Sequence, residues 1–181
     1  MKLSLLSRFF TGVALLFLLW SCSSTLDDYS DTDPKFSLKE YFTGDLKAWG
    51  YVKDYKGEVI QRFSVDMNGT WQGNRGELYE LFTYSDGRTQ ERIWNLEVFG
   101  DGTSKGTAND VIGTAHGREN GFAFNWAYTL EIETDDGKMN VKLNDWLYQI
   151  DNRVVASQSD ISKFGVKVGE VVLFMIKSQE S

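Results

Sequence analysis

Residues 122–133 read Phe-Ala-Phe-Asn-Trp-Ala-Tyr-Thr-Leu-Glu-Ile-Glu. Phe122, Phe124, Trp126, Tyr128, Leu130 and Ile132 share one face, and Ala123, Asn125, Ala127, Thr129 and Glu131 share the other. A period of two over this length is a strand signature with one large aromatic face to bury. The segment after the next turn places Met139, Val141 and Leu143 on one face, then breaks step at Asp145, Trp146, Leu147 and Tyr148. A bulge or a polar interior would cause such a break.

The same β pattern extends in both directions. From Leu46 onward, runs rich in Val, Ile, Thr and aromatics alternate with short turn signals: Lys56-Gly57, Asn68-Gly69, Ser85-Asp86-Gly87, Gly100-Asp101-Gly102, Glu119-Asn120-Gly121, Asp135-Asp136-Gly137 and Asp151-Asn152. These predict about nine or ten antiparallel strands, at 46–54, 58–67, 76–84, 88–99, 103–108, 111–116, 122–133, 138–150, 154–160 and 168–177. No stretch of crossover-helix length separates any pair, which argues against a parallel sheet. A meander of this size loses its exposed edges most simply by closing on itself. The expected fold is therefore all-β: one antiparallel up-and-down barrel of about 8–10 strands, with Pro34, the single proline, outside the ladders.

One short helix precedes the barrel. Ser37 with Glu40 makes a capping-box pattern, Phe36 and Tyr41 occupy staple positions, and Gly44 follows, so a helix is expected over 38–42. So short a helix cannot stand alone and should plug the barrel or cover the last strand, where Val171 to Ile176 is apolar on both faces. An oligomer interface is the alternative cover, and the sequence does not set the oligomeric state. Further upstream, residues 23–34 are mostly Ser, Thr and Asp, a composition that reads as a flexible acidic tether, holding the barrel about 20 Å from its anchor.

That anchor is Cys22. Lys2 and Arg8 form a basic start, and the apolar run 9–20 is too short to span a bilayer but suits a signal peptide. Leu19-Trp20-Ser21-Cys22 resembles a bacterial lipoprotein box, with Trp20 bulky for its position. The expected divisions are a lipoprotein signal peptide over 1–21, a lipidated Cys22 and tether over 22–35, and a barrel domain over 36–181. Ser23 after the cysteine implies, by that resemblance, the periplasmic face of the outer membrane.

Composition narrows the chemistry. Lys2 and Arg8 are lost with the signal, leaving 17 basic residues against 26 acidic ones, a net charge of −9. Such a polyanion disfavours nucleic acid as a partner. Cys22 is the only cysteine and His116 the only histidine, so disulfides, thiol catalysis and transition-metal sites are disfavoured and no cofactor is indicated. His116 lies beside an expected turn with no nucleophile elbow in the chain. Gly113 and Gly117 read as turn glycines. Asp145, Glu80 and Asp110 are the carboxylates flanked by bulk that would desolvate them, although most residues of this kind point outward or cap turns.

The aromatics say more. Trp49, Trp71, Trp94, Trp126 and Trp146 survive processing with eight tyrosines, more than a filled core of this size requires. The candidate ligand wall is Phe122, Phe124, Trp126 and Tyr128, with Trp94 and Trp146 as rim or interior contacts. Arg92 and Asn125 are the polar groups beside them that a ligand could satisfy.

The run Phe36-Ser-Leu-Lys-Glu-Tyr-Phe-x-Gly, with Ala48-Trp49-Gly50, Arg62-Phe63-x-Val65-Asp66-Met67-x-Gly69-x-Trp71, Asp145-Trp146-x-Tyr148 and Ser162-Lys163-Phe164-Gly165-Val166, resembles a family of gammaproteobacterial lipoproteins of unknown function, of the 3833 type. The likeness covers nearly all of the mature chain and supplies no catalytic residues. The neighbourhood of that family's genes implies a lipid connection. The architecture is similar to a lipocalin's without the Gly-x-Trp signature, since tryptophan precedes glycine at Trp49-Gly50. The resulting expectation is a membrane-anchored lipoprotein binding a hydrophobic small molecule or fatty acyl chain inside its barrel. The alternatives are a scaffold with a filled barrel and an external protein-binding surface, and an enzyme on lipid intermediates that would use His116 or an inward carboxylate.

Overall fold

Ten antiparallel strands follow one another around a closed barrel, each paired with its sequence neighbours and the last paired with the first. The computed structural model describes residues 24–134 and 137–178; Cys22 and the signal segment 1–21 lie outside the described residues. The strands are β1 (Gly44–Asp54), β2 (Val59–Gln72), β3 (Arg75–Tyr84), β4 (Thr89–Val98), β5 (Thr103–Thr107), β6 (Val111–Asn120), β7 (Ala123–Thr134), β8 (Gly137–Gln149), β9 (Val154–Lys163) and β10 (Val166–Lys177). The β1–β10 seam runs from Leu46 opposite Lys177 to Asp54 opposite Gly169, so no edge strand is left.

One expected turn is instead the middle of a strand. Asn68-Gly69 lies within β2, and the chain reverses at Gly73-Asn74. Gly69 is glycine because of what crosses it: a Cβ there would lie 1.8 Å from the Phe42 carbonyl oxygen. Gly117 is likewise a strand residue of β6, where a Cβ would lie 2.4 Å from the Trp126 ring. Close approach, which only glycine permits, explains both.

The segment crossing Gly69 is the helix α1 (Leu38–Tyr41), one residue shorter than expected. Ser37 Oγ accepts from the Glu40 N–H at 3.3 Å, and the Phe36 and Tyr41 rings sit 6.1 Å apart, as the staple pattern requires. Phe36, Leu38, Tyr41 and Phe42 are all buried in the core. The Leu38 N–H donates to Glu119 Oε2 at 2.9 Å, the Tyr41 hydroxyl donates to the Met175 carbonyl at 3.0 Å, and Trp71 Nε1 donates to the Phe42 carbonyl at 3.0 Å. The helix thus plugs the barrel end formed by the β2–β3, β4–β5, β6–β7 and β8–β9 turns. It does not cover the outer face of β10, where Phe174 stays 51% exposed opposite Trp49 of β1. All four apolar side chains of the segment are engaged inside the barrel end.

The expected flexible tether also differs. Leu26–Tyr29 forms a 3-10 turn with Leu26 buried, Tyr29 packs 5.0 Å from Phe122, and Asp27 bridges to Arg118 of β6. The Phe122 N–H donates to Thr32 Oγ1 at 3.1 Å, and the Phe36 N–H donates to the Gly121 carbonyl at 2.7 Å. Tyr29 fastens the acidic stretch to an aromatic patch of Phe122, Trp146 and Tyr148 on the outer wall, with Leu26 buried beside it in sequence.

Candidate functional site

Strand alternation sorts the residues into two environments. Even residues of β3 and β4 point inward (Leu78, Glu80, Phe82, then Arg92, Trp94, Leu96), as do odd residues of β2, β8 and β9 (Phe63, Val65, Val141, Asp145, Ser157, Ser159) and even residues of β7 (Phe124, Trp126, Tyr128). Above the plug they enclose a cavity of about 1010 Å³. It runs from Leu38 and Phe42 of the plug to Arg88, Asn109, Glu133 and Lys138 at the opposite end. Those four are exposed, so this end is the mouth. A ten-stranded barrel is wide enough that side chains alone do not fill it.

An aromatic column rises from the plug. Phe36 stacks on Phe124 at 5.2 Å and Phe124 on Trp126 at 5.6 Å; Trp126 meets Trp94 edge-on at 5.6 Å, and Trp94 meets Tyr128 edge-on at 5.4 Å. These are preferred offset and T-shaped geometries. At its top the column meets a buried ion cluster. Arg92 Nε donates to Asp110 Oδ1 at 2.9 Å and Nη2 to Oδ2 at 2.7 Å, a two-pronged pair. Arg92 Nη1 faces Glu80 Oε2 at 3.6 Å, across the β3–β4 register that sets these residues opposite each other. The guanidinium lies over the Phe82 and Trp94 rings at 5.2 and 5.9 Å. The β5–β6 turn carrying Asp110 is held on both sides, with the Ile93 N–H donating to Asn109 Oδ1 and the Glu131 N–H to the Asp110 carbonyl.

The cluster holds more acid than base. Asp145 of β8 enters beside Trp126 of β7 and Ser159 of β9. Burial pushes the Glu80 carboxyl up to about 7; Arg92 opposes the shift, and the Asp110 and Asp145 charges add to it. Burial raises Asp145 to about 6 against the pull of the Ser159 and Tyr128 hydroxyls and Arg92. It also holds the Tyr128 hydroxyl well above its ordinary range. Arg92 keeps its proton despite burial, because Glu80, Tyr128 and Asp110 surround it. Glu80 Oε2 and Asp145 Oδ1 are buried and accept no hydrogen bond.

Of the expected site residues, Phe124, Trp126, Tyr128, Trp94 and Arg92 converge on the cavity. Phe122, Trp146 and Asn125 do not. Phe122 sits in the β6–β7 turn, where strand parity no longer applies, and joins an outer cluster with Tyr29 and Tyr148 at 5.0 and 6.1 Å. Trp146 stacks on Tyr148 in the same outer cluster at 6.2 Å. Asn125 is Trp146's register partner, and its amide donates to Asn144 Oδ1 at 2.9 Å and the Asp145 carbonyl at 3.0 Å on the outer wall. The broken alternation in β8 is a polar interior and not a bulge, since its pairings with β7 and β9 run without a shift. His116 is exposed on the outer face, between the inward Ala115 and Gly117. Glu80, Asp110 and Asp145 belong to the site although sequence reading placed them only among desolvated candidates. The Ser85-Asp86-Gly87 turn fixes a register that opposes Glu80 to Arg92, a signal sufficient to have paired them.

The sequence matches the family described as "Protein of unknown function (DUF3833)" over residues 16–177. No curated protein matches the chain. Among solved structures, the S-type phycobiliprotein lyase CPES from Guillardia theta is similar in fold, with a TM-score of 0.57, 7% identity, and coverage of 88% of this chain and 100% of that one.

Proposed function

The chain belongs to the DUF3833 family, and we propose that its barrel binds a hydrophobic small molecule, a fatty acyl chain or lipid fragment, with the mature protein held through a lipid on Cys22 at the periplasmic face of the outer membrane. The observation that carries the reading is the cavity of about 1010 Å³, closed by α1 at one end, open at the other, and walled by Phe63, Val65, Phe82, Val141 and Leu173. Its size is that of pockets that take whole small ligands, and ligand surface leaving water there gains about 25 cal/mol per Å². A resemblance in fold to a phycobiliprotein lyase is compatible with a barrel of this use. The scaffold alternative rests on a filled barrel and loses that premise here. An enzymatic role through His116 lacks geometry, because the ring faces away from the cavity.

The test is to extract the full chain from native membranes in a detergent-free polymer and identify co-purifying molecules by mass spectrometry. Brominated acyl chains are then titrated against tryptophan fluorescence. Trp94 and Trp126 line the cavity, so quenching that saturates is expected. An empty barrel together with unquenched fluorescence would overturn the reading.

A further inference from the structure

Resting on the reading of the barrel as a ligand site, we infer that the ligand's polar end is a protonated amine, which docks between Glu80 and Asp145 with the apolar chain along the β1, β2 and β10 wall. Three features of the cavity carry this.

The first is the balance of charge. Inside the wall, Glu80 of β3, Asp110 of the β5–β6 turn and Asp145 of β8 face one guanidinium, Arg92 of β4, with the Tyr128 hydroxyl of β7 beside them. Three carboxyl groups share one resident cation. A buried group without a partner is costly, so the excess acid calls for a cation from outside.

The second is how the donors are committed. Arg92 gives Nε and Nη2 to Asp110 and sets Nη1 3.6 Å from Glu80 Oε2, with its guanidinium over the Phe82 and Trp94 rings. The cations near the mouth are also engaged, Arg88 with Asp86 and Lys138 with Glu131. An incoming carboxylate would find acceptors where it needs donors.

The third is geometric. Of the buried side-chain atoms without a hydrogen bond, two are carboxylate oxygens on cavity-lining side chains: Asp145 Oδ1, and Glu80 Oε2, which has only the 3.6 Å contact with Arg92 Nη1. An ammonium carries three donors and one positive charge, so it meets both needs at once. The rings of Trp94, Tyr128 and Phe82 stand around the same space and favour a cation further.

The raised carboxyls supply a signature in pH. At pH 8 both are ionised; on acidification Glu80 takes its proton near 7 and Asp145 near 6, so attraction for an amine fades while its own charge persists. The experiment titrates the polymer-extracted full chain with dodecylamine, dodecanol and dodecanoate at pH 8 and pH 5, with empty polymer–lipid particles as the partition blank. Dodecylamine is expected to bind at least about tenfold tighter than dodecanoate at pH 8, and its advantage over dodecanol, which does not titrate, should shrink several-fold at pH 5. The E80Q/D145N double variant should lose the preference at pH 8, and the wild-type pH series stands independently of that variant's folding. Equal binding of all three probes, tighter binding of dodecanoate, or a preference unmoved by pH overturns the amine inference and leaves the ligand cavity standing. Absence of saturable binding by any of the three overturns both.

Discussion

The two halves of the barrel solve opposite problems with the same strands. Around α1 the interior is filled: Leu46, Ala48, Met67, Leu96, Ala115, Phe124, Val155 and Met175 close on the plug, the Leu38 N–H donates to Glu119 and the Tyr41 hydroxyl to the Met175 carbonyl. Toward the mouth, inward positions of the same strands carry Glu80, Arg92, Asp145 and Ser159 around unfilled space. The lower half behaves as a protein core, where shape decides stability. The upper half holds charges that burial alone makes costly, which is the pattern of a site kept for something other than folding.

The sharpest way to break this contrast is a matched pair of truncations. Phe124→Ala in the filled half should cost about 3–5 kcal/mol, whereas Phe82→Ala, whose ring already borders open space, should cost less than about 2 kcal/mol. Equal losses in urea denaturation would mean that the halves are packed alike. Gly69→Ala tests the plug itself. A methyl 1.8 Å from the Phe42 carbonyl must displace α1, and a loss of about 3 kcal/mol is expected; a change under about 1 kcal/mol would place the helix elsewhere.

The upper half should respond with the opposite sign. The Glu80 carboxyl releases its proton near 4.5 when unfolded and near 7 in the barrel, so its contribution to stability is intact below pH 4.5 and lost as pH rises through 7. Glu80→Gln removes that loss and should stabilise the protein at pH 8 on the order of 2 kcal/mol, with no gain near pH 4. Urea midpoints at the two pH values check it, and a gain independent of pH would show that Glu80 is not a buried ionised group. The smallest expected effect is Ser37→Ala, about 1 kcal/mol from loss of the helix cap, read in the same denaturation assay.

The architecture was largely legible because period-two alternation and turn chemistry act locally. Seven residues from Phe122 to Tyr128 were enough to predict a strand with one aromatic face, and the turns after Tyr84 and Phe99 were read where they occur. Asn68-Gly69 misled because glycine has two uses, reversing a chain and admitting a neighbour, and only the tertiary placement of Phe42 decides between them. The same limit governs the site. Parity within β7 placed Phe124, Trp126 and Tyr128 correctly, but parity cannot say which face of β8 is inner when Asp145 and Trp146 sit side by side. Turning the carboxylate inward and the indole outward reverses the hydrophobic expectation, and it happens because Asp145 has Ser159 and Tyr128 to face. Trp146 gained cover outside from Tyr29, a residue in a stretch that composition alone assigned to solvent.

If Cys22 carries the proposed lipid, that last contact also sets which way up the molecule hangs. Leu26, Tyr29 and Thr32 fasten the leading segment at the plugged end, and four residues of chain from Cys22 to Leu26 reach at most about 14 Å. With its lipid on Cys22, the barrel would be moored close to the bilayer by its sealed base, with little slack to roll over. The open rim would then look out into the aqueous compartment, and cargo would pass between this protein and an acceptor across water, not directly into the leaflet that moors it.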